Sequence, residues 1–344
     1  MKLRSLNKSL PTLSKTTAAH PLQLDRDFAG RQILGTRDEQ QDSYAFSIVE
    51  GDEKGTDKLL VIIADGMGGY VGGREASLAA VRGFVDAFFE ALDGPEIAPE
   101  TSVGGMAAVP SQISDGESAL TAQRPPSNST SAPPCPEGAT SQSPGQASAK
   151  PWVKEEKPSC PVGAAFALRK ALLDANQAVD KMIAADPDTF AEAGTTLLAA
   201  LVERGSIQWI SVGDSPLLLW SKGKLTRLNA DHSMRAVFVE KVAAGQMRAA
   251  DIATHPERNA LLAVLNGLEI IKIDDPSAPV SLMPGDMVIA ASDGLLTLSV
   301  EEISKELKKV CAKPVIEIVR ALLSTVEKKA NSKQDNTTIA IIRV

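Results

Sequence analysis

Histidine and cysteine are scarce in this chain, with three of each among 344 residues. Three histidines are too few to build a His-rich metal site. The cysteines, Cys135, Cys160 and Cys311, show no CxxC spacing, so neither a disulfide framework nor a zinc site is encoded, and a reducing compartment suits them. Long apolar runs are also missing, and none approaches the length that spans a bilayer. Positive charge is in short supply: the formal net charge is -7 and aromatics make up 4%. No basic stripe with interleaved aromatics runs through the chain, which argues against a nucleic-acid partner. The basic start, Met1 to Lys8, is not followed by a continuous apolar core, so no secretory signal is expected. These absences predict a soluble cytoplasmic protein that engages neither nucleic acid nor membrane.

Hydrophobic patterning divides what remains. Residues 1–27 lack periodicity and read as a flexible N-terminal arm. A polar turn at Gly35–Ser43 precedes a strand at Tyr44–Val49. A charged loop then leads, as in a hairpin, to Leu59–Ala64, an apolar run that reads as a strand buried on both faces. Ala76, Ala80, Val81, Phe84, Val85, Phe88 and Leu92 recur at helical spacing, and a second amphipathic helix covers residues 163–185. Between the two helices, residues 93–161 are dominated by Pro, Ser, Gly, Ala, Thr and Gln. They carry too little apolar surface to offset the entropy of ordering, and they predict a disordered insertion within a single domain spanning 28–344. From residue 196 to 228 short strands follow one another through tight turns, which predicts an antiparallel meander rather than a doubly wound parallel sheet. A partly helical segment at 230–258 suits a flap over a surface site. Residues 280–292 read as a strand pair around Pro284-Gly285-Asp286. Two helices, near 300–310 and 314–329, precede a last strand at 337–342.

Aspartates recur at the ends of these strands. Asp65, Asp293 and Asp335 each close or border an apolar run, and Asp42 and Asp214 do so with weaker flanks. Any one Asp-Gly is ordinary turn chemistry. If the five converge, their repulsion demands a cation, and an all-oxygen donor set selects Mg²⁺ or Mn²⁺ over zinc or copper. Two such ions sharing one carboxylate would activate water for in-line attack on phosphorus, with Arg37 as the fork for phosphate oxygens. A structural Ca²⁺ site is the simpler rival, but it needs no such fork.

Seven motifs in order resemble the metal-dependent type 2C protein serine/threonine phosphatases in their bacterial form. They are Gly35-Thr36-Arg37-x-x-Gln40-Gln41-Asp42, Ala64 to Gly69, Ala193-Gly194-Thr195-Thr196, Val212-Gly213-Asp214-Ser215, Asp231-His232-Ser233, Ala291-Ser292-Asp293-Gly294 and Gln334-Asp335-Asn336. The resemblance implies an α+β fold, a four-layer α-β-β-α sandwich with two central antiparallel sheets. It also implies a phosphoprotein phosphatase that hydrolyses phosphoserine and phosphothreonine at a binuclear Mn²⁺ or Mg²⁺ centre without a phospho-enzyme. No arginine stands at the Cys-x5-Arg spacing from Cys160 or Cys311, which disfavours the cysteine-dependent route. By resemblance, Asp65 bridges the metals and Gly66 lends its carbonyl to the second. Asp293 and Asp335 ligate the first, and Asp42 holds a metal or orients its water. Arg37 binds the phosphate, and Asp214 belongs to a weaker third site. The departures are Gln40 for the usual Asn, Gln41 for Glu, Met67 for the histidine of animal members, Pro216 for Arg, and Thr297 for a further Asp. Phosphorylated Ser/Thr proteins, a cognate Ser/Thr kinase and a monomeric state are the expected partners and assembly. The alternative is an inactive member that binds phosphoproteins as a regulatory module. His232 is expected to serve structure, and Trp209 and Trp220 to lie in the core.

Overall fold

The computed structural model describes residues 27–49, 58–67, 71–93, 162–203 and 205–344. The expected N-terminal arm and insertion lie, apart from their end residues, outside the described residues. In chain order the strands are β1 (Phe28–Ile33), β2 (Asp42–Val49), β3 (Lys58–Met67), β4 (Gly194–Thr195), β5 (Leu197–Glu203), β6 (Ser206–Val212), β7 (Leu217–Ser221), β8 (Lys224–Arg227), β9 (Val280–Ser281), β10 (Met287–Ala291) and β11 (Thr337–Arg343). The helices are α1 (Gly73–Asp93), α2 (Val162–Ala185), α3 (Pro187–Phe190), α4 (Met234–Ala243), α5 (Ala249–Thr254), α6 (Val300–Val310) and α7 (Val315–Lys328). Among the described residues no helix is long and apolar enough to cross a membrane.

Two antiparallel sheets form the centre, ordered β1-β11-β10-β7-β8 and β2-β3-β5-β6-β9, with β4 paired to β3. Strand alternation explains the layering. Leu59, Val61 and Ile63 of β3 meet Val288, Ala290, Ala340 and Ile342 of the opposite sheet in a core between the sheets. Leu60, Ile62 and Ala64 turn the other way, against Phe84, Phe88, Leu168 and Leu172 of α1 and α2. Ile289, Ile339 and Ile341 likewise back onto α6 and α7, among Leu307, Ile318 and Leu322. The protein is thus the expected α-β-β-α sandwich, and each central strand is apolar on both faces because each faces a layer on both sides.

Two local readings are corrected. The meander is broken: β5 and β6 pair in one sheet, β7 and β8 in the other. The chain changes sheets at Gly213–Pro216, where Gly213 adopts φ +103°, a conformation that side chains resist. The presumed pair at 280–292 is also split, with β9 on β6 and β10 between β7 and β11. Short turns predict hairpins, yet a tight turn serves equally to step between stacked sheets. The sequence reading also passed over β1, whose Gly30 and Arg31 interrupt the apolar pattern although it pairs along β11.

Candidate active site

The hairpin register sets Asp42 directly opposite Asp65 on β2 and β3. Asp65 shares its face of β3 with Leu59, Val61 and Ile63, so it points toward the other sheet, which contributes Asp293 and Asp335 from the end of β10 and the approach to β11. Asp65, Asp214, Asp293 and Asp335 line one cavity of about 310 Å³, together with Arg37, Gln41, Gly66, Met67 and Thr196. The tertiary structure therefore gathers the residues singled out in the sequence, with Asp42 buried just behind the cavity wall.

The carboxylates differ in what holds them. Asp42 Oδ2 accepts hydrogen bonds from Ser292 Oγ and Thr338 Oγ1, both at 2.7 Å. Its Oδ1 is buried without a hydrogen-bond partner. Burial pushes the Asp42 carboxyl up to about 6; the hydroxyls of Thr338 and Ser292 oppose the shift, and the charges of Asp293 and Asp335 add to it. Asp65 is held through its backbone. Its N–H donates to Thr196 Oγ1 at 3.0 Å, and its carbonyl accepts from Thr195 Oγ1 at 3.0 Å and from the Thr196 N–H at 2.9 Å. The Gly-Thr-Thr segment is thus a cradle for this strand end. Burial, then Asp42 and Asp293, hold the Asp65 carboxyl well above the usual range.

Asp293 opens a short 3-10 turn over Asp293–Thr297. Gly294 must be glycine there, because a Cβ would come within 2.1 Å of the Asn336 carbonyl. Burial and the neighbouring Asp335 charge raise Asp293 to about 6, against the opposing charges of Arg235 and Arg37. Asp335 is instead matched by a cation, Arg37, with Nη2 at 2.5 Å from Oδ2. The loop carrying Arg37 is stitched to the Asp335 loop by backbone and amide bonds. Thr36 N–H donates to the Gln334 carbonyl at 2.9 Å, Gln41 N–H to Asn336 Oδ1 at 2.8 Å, and Asn336 Nδ2 to the Leu34 carbonyl at 2.8 Å. Gln40 closes the same turn, accepting from the Asp42 N–H and donating to the Ile33 carbonyl. Asp214 is raised to about 7, chiefly by burial and then by Asp293 and Asp231, against the opposing charges of Arg235 and Arg227.

Two other candidates take structural places. His232 is buried, and its Nδ1 accepts the Gly213 N–H at 3.4 Å, bracing the sheet-to-sheet step. His255 packs on Phe238 with ring centroids 4.2 Å apart, away from the cavity lining. Ser292 and Thr338 were the residues missed. Ser292 sat inside a motif beside the more conspicuous Asp293, and Thr338 is one hydroxyl in a strand of β-branched residues; their shared target lies 250 and 296 positions away.

A cation site is tested by this donor set. The donors are oxygens throughout, Asp42 Oδ1 lacks a partner, and the charges of Asp42, Asp293, Asp214 and Asp335 all raise the Asp65 carboxyl, a repulsion that a bound cation would relieve. The carboxylates ring the cavity instead of meeting at a point: among the described residues no three acidic, histidine or cysteine side chains form a ready-made cage. In chemistry, charge and number the residues fit hard divalent ions.

A two-sheet α-β-β-α sandwich with an aspartate-ringed, arginine-bearing cavity defines the class of protein. Within that class the chain belongs to the protein phosphatase 2C family, whose pattern matches residues 29–335. It is 27% identical over 179 residues to the serine/threonine phosphatase stp of Listeria monocytogenes, covering 51% of this chain and 66% of the relative. It is 31% identical over 112 residues to a putative protein phosphatase 2C-type of Streptococcus pyogenes, covering 32% and 43%. The matches therefore span less than two thirds of these relatives. Among solved structures, the Mycobacterium tuberculosis serine/threonine phosphatase PstP/Ppp superposes with TM-score 0.58 at 19% identity, covering 92% of this chain and 97% of that one. The catalytic domain of PstP in complex with two manganese ions gives TM-score 0.55 at 19% identity, over 92% and 97%. At these identities the structural likeness speaks for the fold.

Proposed function

We propose that this protein is a metal-dependent phosphatase acting on phosphoserine and phosphothreonine in proteins. The observation that carries this reading is the convergence of Asp65, Asp214, Asp293, Asp335 and Arg37 on one cavity, in a chain of the protein phosphatase 2C family. Asp65, Asp293 and Asp335 would hold two divalent ions, Mn²⁺ or Mg²⁺, with the Gly66 backbone beside them and Asp214 available to a weaker third. Bound there, such ions supply Lewis-acid polarisation and neutralise the charge of a phosphate dianion. Arg37, exposed at the rim, turns its planar fork from Asp335 to the phosphate oxygens and sets the ester for in-line attack. Asp42, buried behind the cavity wall with its Oδ2 saturated by two hydroxyls, would orient the attacking water through the strand pair it forms with Asp65. Attack of that water forms the new P–O bond as the bond to the serine or threonine oxygen breaks; the proton passes to that oxygen, and inorganic phosphate leaves. A phosphorylated protein is then the partner, and a Ser/Thr kinase must make it.

The test is hydrolysis of a phosphothreonine peptide with Mn²⁺, with and without chelator, by the wild type and by Asp293→Asn. Metal-dependent turnover is expected, with a loss of about a hundredfold or more in kcat in the variant, a few kcal/mol of barrier. Turnover that survives chelation would sink the metal-dependent mechanism.

A further inference from the structure

We propose that Arg235 is a specificity-determining residue that binds a second anionic group beside the phosphorylated residue, so that peptides with a nearby carboxylate or further phosphate are preferred. The inference rests on the phosphatase reading above and adds a substrate class to it.

Arg235 lies in the first turn of α4. A cation there opposes the positive end of the helix dipole, so the position does nothing for helix stability. Its Nη2 donates to Asn259 Oδ1, a neutral amide, at 3.3 Å. That single bond leaves most of the five guanidinium donors for a ligand. Asn259 lines the cavity together with Ala260 and Leu261. This wall is fastened to the base of α4, since Met234 N–H donates to the Ala260 carbonyl at 2.9 Å and Leu262 N–H to the His232 carbonyl at 2.8 Å. Guanidinium and wall therefore form one piece. The charge of Arg235 is also felt by Asp214 and Asp293, where it opposes the rise in both carboxyls.

Two guanidiniums thus serve one cavity in different ways. Arg37 lines the cavity and is ion-paired with Asp335, whereas among the described residues Arg235 has no ion pair and its hydrogen bond goes to a neutral amide. A space of about 310 Å³ is at the small end of ligand pockets and suits a phosphorylated side chain. Residues flanking the phosphoresidue then pass the Asn259–Leu261 wall, to which Arg235 is hydrogen-bonded. A planar fork at that place pairs bidentately with carboxylate or phosphate.

The experiment measures kcat/KM with Mn²⁺ for phosphothreonine peptides that differ only in their flanks: alanines, glutamates, lysines, or one second phosphothreonine. Wild type, Arg235→Lys and Arg235→Glu are compared. The wild type is expected to favour the anionic flanks over alanine by about tenfold, through KM. Arg235→Lys keeps part of that preference, and Arg235→Glu inverts it toward the lysine peptide, an inversion that a folding defect cannot produce. The glutamate and phosphothreonine arms tell which anion is favoured. An equal glutamate-to-alanine ratio in the wild type and Arg235→Glu would overturn the proposal. p-Nitrophenyl phosphate, which has no flanks, separates the two readings. If the wild type hydrolyses neither it nor any of the phosphothreonine peptides, the phosphatase reading falls. The flank preference is then read as the ratio of peptide dissociation constants by fluorescence anisotropy, with the same inversion deciding.

Discussion

Asp335, at the approach to β11 in the first sheet, faces the guanidinium of Arg37. Asp42 and Asp65, paired across β2 and β3 in the second sheet, face each other, with hydroxyls and backbone groups as their hydrogen-bond partners. One edge of the cavity brings its own cation. The other is built to need one. The difference follows from burial: Asp335 and Arg37 are exposed enough for water to share in neutralising them, whereas Asp42 is 4% exposed and must take its stabilisation from fixed dipoles. Those dipoles come from the opposite sheet, because Ser292 follows β10 and Thr338 lies in β11. Asp42 is therefore also a latch between the sheets.

Removing the latch should have the largest effect on folding. The double variant Ser292→Ala, Thr338→Val leaves a buried carboxylate oxygen without donors and is expected to lose about 2–4 kcal/mol in urea denaturation. A loss below about 0.5 kcal/mol would mean that the sheets are not latched there.

Next in size is the pH response of the chelated protein. The folded carboxyls of Asp42 and Asp293 are raised to about 6 and that of Asp214 to about 7, from 3.8. Between pH 4 and 7 the folded chain keeps protons that the unfolded chain has released. Stability should therefore fall as pH rises through that window and level off above it. Saturating Mn²⁺ replaces those protons, so its increment in melting temperature is expected to be greater at pH 7.5 than at pH 5. A chelated protein whose stability rises from pH 5 to 7 would contradict the charge-deficient half of the comparison.

The smallest effect on stability belongs to the half that brings its own cation. Arg37→Ala breaks an exposed ion pair, and the melting curve should move by less than about 1 kcal/mol, while KM for a phosphopeptide rises about tenfold. An unchanged KM would remove Arg37 from substrate binding.

Much of this was readable in the chain itself. The parity of β3 put Asp65 on the same face as Leu59, Val61 and Ile63, and the glycines around Asp65 and Asp293 marked places where backbone approaches backbone. Strand ends carrying aspartate were visible one by one, and the order of the seven motifs joined them into one family. Ser292 and Thr338 were not legible as partners of Asp42, because a hydroxyl in a strand carries no sign of which distant carboxylate it will meet. The same holds for Arg235: its neighbours in sequence form a short helix, and only the fastening of 260–262 to 232–234 sets its guanidinium beside the cavity.

What the sequence determined by itself is the local grammar: which runs alternate, which helices are amphipathic, and where a carboxylate ends a strand, because these depend on residues a few positions apart. Tertiary structure decided which strands share a sheet, where the chain steps across at Gly213–Pro216, and which charges are matched. Those outcomes depend on burial and on partners distant in sequence, 298 positions for Arg37 and Asp335, and the dielectric that makes a lone carboxylate costly exists only once the two sheets have closed over it.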